Sequence, residues 1–172
     1  LAYEDPGNDG QIAMTGASNH SKSSRLEATG PKKWLFAYPA QCILLIDLIK
    51  WTDGVTKAII SQAEGNPNGI MAFHTFMKEL INRMVAIVRE DLNILQRTLM
   101  GALIVLDVHA RDVVSELAEK KVSNLNDFEF SKQLRYYWEA EIDDCVARQT
   151  NTRFVYGYEY LGNGPRLIIT PL

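Results

Sequence analysis

Cysteine is scarce in this chain of 172 residues, which carries only Cys42 and Cys145. The two lie far apart and lack metal-ligand spacing, which argues against a disulfide scaffold or a zinc cluster and fits a reducing, cytoplasmic compartment. Long apolar runs are missing too. The longest, 42–49, is interrupted by Asp47 and followed by Lys50, far short of the roughly 20 apolar residues that span a bilayer, so no membrane partner is expected. There is no excess of base: 18 Lys and Arg against 21 Asp and Glu give a net charge of -3, which argues against a nucleic-acid partner. The start, Leu1-Ala2-Tyr3-Glu4-Asp5-Pro6, has no methionine, charged n-region or apolar h-region, so it reads as a cut edge rather than a signal peptide. Asn19-His20-Ser21 fits a glycosylation acceptor, but so short a pattern recurs by chance and has no meaning outside the secretory route.

What is present is an ordinary globular composition, 47% hydrophobic and 23% charged, at a length that suits one domain or large subdomain. Three stretches differ in character. Residues 1–33 are rich in Gly, Ser, Asn and charge, with Pro6-Gly7, Asp9-Gly10 and Gly30-Pro31 as turn signals, and read as a loop-rich or poorly ordered lead-in. Residues 34–123 read as a helical bundle, and 124–172 as a strand-rich end.

Within the helical stretch, Ile43, Leu44, Ile46, Ile49, Val55, Ile59 and Ile60 predict a helix from Ala40 to about Ala63, with Asp53-Gly54 as its weak point. Gly65-Asn66-Pro67-Asn68-Gly69 ends it, because Gly and Asn accept left-handed torsions and Pro67 cannot continue the hydrogen-bond ladder. Ile70, Phe73, Met77, Leu80, Met84, Ile87, Val88, Leu92, Leu95 and Leu99 then recur at helical steps and predict one long amphipathic helix. A third helix is expected over 101–121, with Asp107/Arg111 and Glu116/Lys120 as ion pairs one turn apart. Antiparallel packing is the simplest arrangement.

After Asn124 aromatic and β-branched residues replace helix formers. Leu134, Tyr136 and Trp138 fit either a strand or the end of a short helix; Phe154, Tyr156, Tyr158 and Tyr160 fit a strand with an aromatic ladder. Gly162-Asn163-Gly164-Pro165 marks a turn before a last strand, 166–170. The expected fold is therefore α+β, mainly α, an antiparallel helix bundle followed by short antiparallel strands.

Candidate chemistry is thin. His20, His74 and His109 have no second ligand at metal spacing, so no metal site is expected. His74 reads as a packed histidine and His109 as part of a polar surface network. Asp112 and Glu116 stand one turn apart and are the nearest thing to an acid/base pair, but Lys120 continues the face and favours a solvated stripe. Glu139, Glu141, Asp143 and Asp144 lack the glycine and terminal glutamate of a calcium loop and read as a charged hairpin connection. Cys145, Ser115 and Ser131 have no local partner for nucleophilic work. Residues 157–164 begin with the glycine spacing of a phosphate loop but place Asn163-Gly164 where Lys and Ser/Thr are needed. The methionines and Trp34, Trp51 and Trp138 read as core or interface filling.

Two blocks nevertheless resemble a known family. Asp107-Val108-His109-Ala110-Arg111-Asp112-Val113-Val114 is one; Gln133-Leu134-Arg135-Tyr136-Tyr137-Trp138, continuing through Phe154-Val155-Tyr156-Gly157-Tyr158-Glu159-Tyr160-Leu161-Gly162-Asn163 to Arg166-Leu167-Ile168-Ile169-Thr170-Pro171-Leu172, is the other. They resemble dynein heavy chains where the linker ends and the first AAA+ module begins, and the Asp107–Asp112 block, with Tyr38-Pro39-Ala40-Gln41 and Trp51 upstream, looks axonemal rather than cytoplasmic. The resemblance implies a non-catalytic mechanical fragment of an ATP-hydrolysing motor, acting with the AAA+ ring of the same heavy chain, with microtubules and with other dynein subunits, in a ciliary or flagellar axoneme. It implies no cofactor for the fragment itself, and ATP or ADP with magnesium in the parent motor. Ile169, Thr170, Pro171 and Leu172 are then expected beside the adenine of the first AAA+ site, while the phosphate loop, magnesium ligands and catalytic glutamate lie later in such a chain. The alternative from the residues alone is a free-standing helical adaptor that offers an apolar stripe to a partner helix.

Overall fold

The computed structural model describes residues 34–159. These fall into two units divided inside the first helix, one ending at Ile43 and the other beginning at Leu44. In the first unit the rings of Trp34 and Tyr38 lie 6.0 Å apart, and the Pro39 carbonyl accepts from the amides of Cys42 and Ile43. Proline suits this boundary because it lacks the N–H that the helix start leaves unpaired.

Helix α1 spans Ala40–Ala63, α2 Gly69–Val88 and α3 Ile94–Glu119; a single turn, α4, covers Phe128–Ser131. Strands β1 Arg135–Glu139, β2 Asp144–Gln149 and β3 Thr152–Val155 form an antiparallel meander in that order. The described fold is thus the expected helix bundle followed by short antiparallel strands.

The helices alternate in direction. Gly54 of α1 faces Phe73 of α2, and further along α1 Ala58 faces Gly69 at the start of α2, so these two run antiparallel. At Gly54 a Cβ would come 2.3 Å from Cε2 of the Phe73 ring, and at Gly69 it would come 2.7 Å from the Ala58 carbonyl oxygen. Glycine at both points lets the helices approach closely, which explains why the expected weak point at Asp53-Gly54 does not interrupt α1. Arg97 at the start of α3 donates to the Val88 carbonyl at the end of α2, the mark of a second antiparallel pair. Helices α1 and α3 therefore run the same way, and contacts between them keep a constant offset: Asp47 meets Asp107, and Gln62 donates to the Val122 carbonyl.

The long helix expected from Ile70 to Leu99 is in fact two. Residues 89–93 break it, and Asn93 and Gln96 form a capping box in which each side chain accepts from the other's backbone amide. Satisfying two of the orphan amides of a helix start offsets the loss of two turns of ladder. The apolar pattern misled because Ile94 and Leu95 sit exposed at the tip of the α2–α3 hairpin rather than in the core. The core itself is made by Val55, Ile59, Ile70, Met77, Met84 and Leu103, all essentially solvent-free, each contributing about 1.5–3 kcal/mol through burial.

The sheet is tied to α1 by Thr52. Its hydroxyl donates to the Leu48 carbonyl and accepts from the amide of Tyr136 on the open edge of β1, at 2.9 and 3.0 Å. Thr52→Val keeps the shape but leaves that amide unpaired, and we expect a loss of about 1–2 kcal/mol in a urea melt. An unchanged midpoint would show that water replaces the hydroxyl. Residues 135–139 form strand β1, preceded by the short helix α4, with Leu134 just outside the strand. The ladder expected at 154–160 is shorter, since β3 ends at Val155 and Tyr158 adopts φ +53°. Strand β2 had no clear alternation because Cys145, Val146 and Ala147 are all buried.

Candidate functional site

Two of the acids singled out in sequence, Asp112 and Glu116, are paired locally. Arg111 pairs with its neighbour Asp112 at 2.6 Å, and Glu116 pairs with Lys120 at 2.6 Å. Lys120 also reaches Glu129 at 2.7 Å, so this cluster fastens α3 to α4. Hydrogen bonding from Lys120 holds the Glu116 carboxyl below its usual range. A carboxylate engaged by Lys120 and, at 3.6 Å, by Lys132 is a poor proton shuttle. The Glu116/Lys120 pair forms as expected, but the Asp107/Arg111 pair does not.

His74 is buried in α2, and burial, followed by the charges of Lys78 and Arg111, lowers its pKa. It is a packed histidine. The acidic run at the β1–β2 turn is a hairpin connection: Glu139 and Asp144 are cross-strand partners, and the Ile142 amide bonds back to the Glu139 carbonyl. Glu139 binds Arg153 and Arg148 across the sheet, and hydrogen bonds from these two pull its pKa down to about 2. Cys145 is buried, which pushes its thiol up and away from nucleophilic use. Among the described residues no three His, Cys, Asp or Glu side chains gather as a metal site, and no helix is long and apolar enough to cross a membrane. Ile169, Thr170, Pro171 and Leu172 lie outside the described residues, as does the second half of the 157–164 glycine run.

Tertiary structure creates one arrangement that the sequence reading missed. Asp107, only 2% exposed, meets Asp47 of α1, and the two carboxyls hydrogen bond. Burial first, then the charge of Asp107, raises the Asp47 pKa well above the ordinary carboxylate value; burial raises that of Asp107 to about 6. The hydrogen bond favours a protonated Asp47 donating to an ionised Asp107, since two adjacent buried carboxylates cannot both be charged cheaply. A cavity of about 240 Å³ opens beside the pair, between α1, α3 and the entry to β1. Trp51 and Leu48 line it from α1, His109 and Ala110 from α3, and Leu134 and Tyr136 from the strand side. A lone acid within the 42–49 apolar run was the available signal, but its partner is 60 residues away and on another helix.

Comparison with known proteins agrees with the motif evidence. No family model matches the chain. Human dynein axonemal heavy chain 6 is 41% identical over 140 residues, and human dynein axonemal heavy chain 3 is 43% identical over 139, each match covering 81% of this chain. The dynein alpha chain of the flagellar outer arm of Chlamydomonas reinhardtii is 39% identical over 140 residues, again 81% of this chain. The chain belongs to the dynein heavy chain family. It spans about 3% of the length of these relatives. As a dynein segment it has three bundled helices and a small sheet, with the carboxyl pair and its cavity between the first helix, the third and the sheet. The Asp-Val-His-Ala-Arg-Asp block lies on α3, where Asp107 and His109 line the cavity and Arg111 and Asp112 pair with each other.

Proposed function

We propose that this dynein segment is the C-terminal part of the motor's linker, a non-catalytic lever, with 124–172 as its connection to the first AAA+ module. The observation that carries the reading is the run of identity with axonemal heavy chains over four fifths of the chain. The fold supports it. Helix α3 alone has 26 residues, about 39 Å of continuous rod at 1.5 Å per residue, packed against α2. Such a rod transmits displacement without needing ionisable groups. Nucleotide energy enters from a site built by the AAA+ ring, where ATP or ADP binds with magnesium, and Ile169, Thr170, Pro171 and Leu172 contribute apolar and backbone contacts to the adenine. The parent motor works on microtubules with other dynein subunits in the axoneme of a cilium or flagellum.

The test uses the full-length heavy chain. A flexible Gly-Gly-Ser insertion in the middle of α3 is expected to leave ATP hydrolysis largely intact while microtubule gliding slows several-fold. Unchanged gliding would reject the lever. The 172-residue chain by itself is expected to show no ATP turnover above a buffer control, and turnover that persists through repurification and tracks protein concentration would reject the non-catalytic reading.

A further inference from the structure

The sheet has two outer edges, and among the described residues only one of them is closed. On β1 the Tyr136 amide points outward and is taken by the Thr52 hydroxyl of α1 at 3.0 Å. On the other side the Tyr156 amide, just beyond β3, donates inward to the Cys145 carbonyl, and Val155 stands opposite Val146. Backbone groups alternate between the two sides of an antiparallel strand, so Phe154 faces β2 while the N–H and C=O of Arg153 and Val155 face away from the sheet. Among the described residues these four groups have no backbone partner. All of β3 is exposed, Phe154 to 48% and Val155 to 50%. The strand's single charge, Arg153, is drawn across the face to Glu139 at 2.5 Å. An apolar edge whose one charge is already engaged is open to pairing with another strand.

We propose that residues 166–170, which lie outside the described residues, add to this edge as a fourth strand running antiparallel to β3. Arg166-Leu167-Ile168-Ile169-Thr170 is β-branched at three of its five positions and has no proline, so every amide can donate. The ten residues 156–165 that join it to β3 include the turn residues Gly162-Asn163-Gly164-Pro165, enough to reverse the chain. A parallel return needs a crossover of about a dozen residues or more, so this connection sets the antiparallel sense. Leu167, Ile168 and Ile169 supply apolar side chains to both faces and so give Phe154 and Val155 neighbours to pack on. Residues 169–172 then form the outgoing end of the fourth strand, which ties the adenine contacts proposed above to α1 through the sheet and Thr52. That tie rests on the linker reading, whereas the strand pairing does not.

Amide hydrogen exchange, followed by NMR without nucleotide, compares the full 172-residue chain with one ending at Glu159. The Arg153 and Val155 amides are expected to exchange at least about tenfold more slowly in the full chain. Ile168→Pro, which removes a ladder donor and fixes φ, should return both to the rate of the shortened chain. Ile168→Val, which keeps the β-branch, should leave them protected. The Tyr156 amide, bonded to the Cys145 carbonyl, reports in each variant whether β2 and β3 are still paired. Equal rates in the full and shortened chains would overturn the fourth strand, as would protection that survives Ile168→Pro. Protection that rises with protein concentration would overturn it too, because a second copy would then be filling the edge.

Discussion

Replacing Phe130 with alanine lowers the unfolding free energy by about 3–5 kcal/mol. Phe130 is 1% exposed and is the bulkiest of the fully buried side chains. It sits in the single turn of α4 that connects the bundle to the sheet, and the Arg135 guanidinium lies 5.1 Å above its ring. Arg135 is itself buried, donates to the Ser131 carbonyl at 3.3 Å and has an unpartnered Nε. Losing the ring therefore opens a cavity and removes the face against which a buried cation rests. Further loosening is expected because the Thr150 amide in the β2–β3 turn donates to the same Ser131 carbonyl at 2.7 Å. Urea denaturation measures the loss, and hydrogen exchange of the Cys145 and Ala147 amides shows whether the sheet opens first. Phe128, in the same turn but 66% exposed, provides the control: Phe128→Ala should change stability by no more than about 0.5 kcal/mol. Equal losses for the two would refute the account of Phe130 as the pin of the junction.

The second large effect is a dependence of stability on pH that runs opposite to ordinary acid denaturation. In the unfolded chain Asp47 and Asp107 titrate near 3.9; in the fold both are raised, Asp107 to about 6. Between those values the folded pair holds more protons than the unfolded one, so its contribution to stability is fully present below about pH 4 and is lost as pH rises through 6. For Asp107 the shift corresponds to roughly 2–3 kcal/mol. The lowered carboxyls have the other sign: Glu139, Glu116 and Glu129 contribute fully above their unfolded values and weaken the fold only in stronger acid. In the window from about 5 to 7 the aspartate pair is opposed by His74, whose lowered pKa makes the fold gain stability as pH rises. Asp107→Asn should flatten the profile across that window in a series of urea melts. A decline that persists unchanged in the variant would assign it to other groups.

Fold class was readable because periodicity acts locally. The stripe over α1 and the Gly-Asn-Pro-Asn-Gly stop gave that helix its bounds, Ala40–Ala63, since both depend on neighbours within a turn or two. The break at 89–93 was missed because Leu92 and Leu95 keep the apolar rhythm, while the capping signal Asn93-x-x-Gln96 is short and competes with it. Strand β2 escaped notice for a different reason: with Cys145, Val146 and Ala147 all covered, it has no inside and outside to alternate. The candidate residues divide in the same way. Glu116 and Lys120 are four apart and their pairing was legible, whereas Asp107 was assigned to Arg111 by spacing and is taken by Asp47 from another helix.

By itself the sequence determined the family and, among the described residues, the helices and the strand-rich stretch that follows them. These rest on composition, on short-range periodicity and on long matching motifs, none of which needs distant residues to meet. Tertiary structure alone decided that α1 and α3 run the same way, with Asp47 against Asp107 and Thr52 against the edge of β1. Burial is a property of the packed whole: the same carboxylate is a solvated surface charge or a proton-sharing partner depending on which helix lies across from it, and no local pattern encodes that choice.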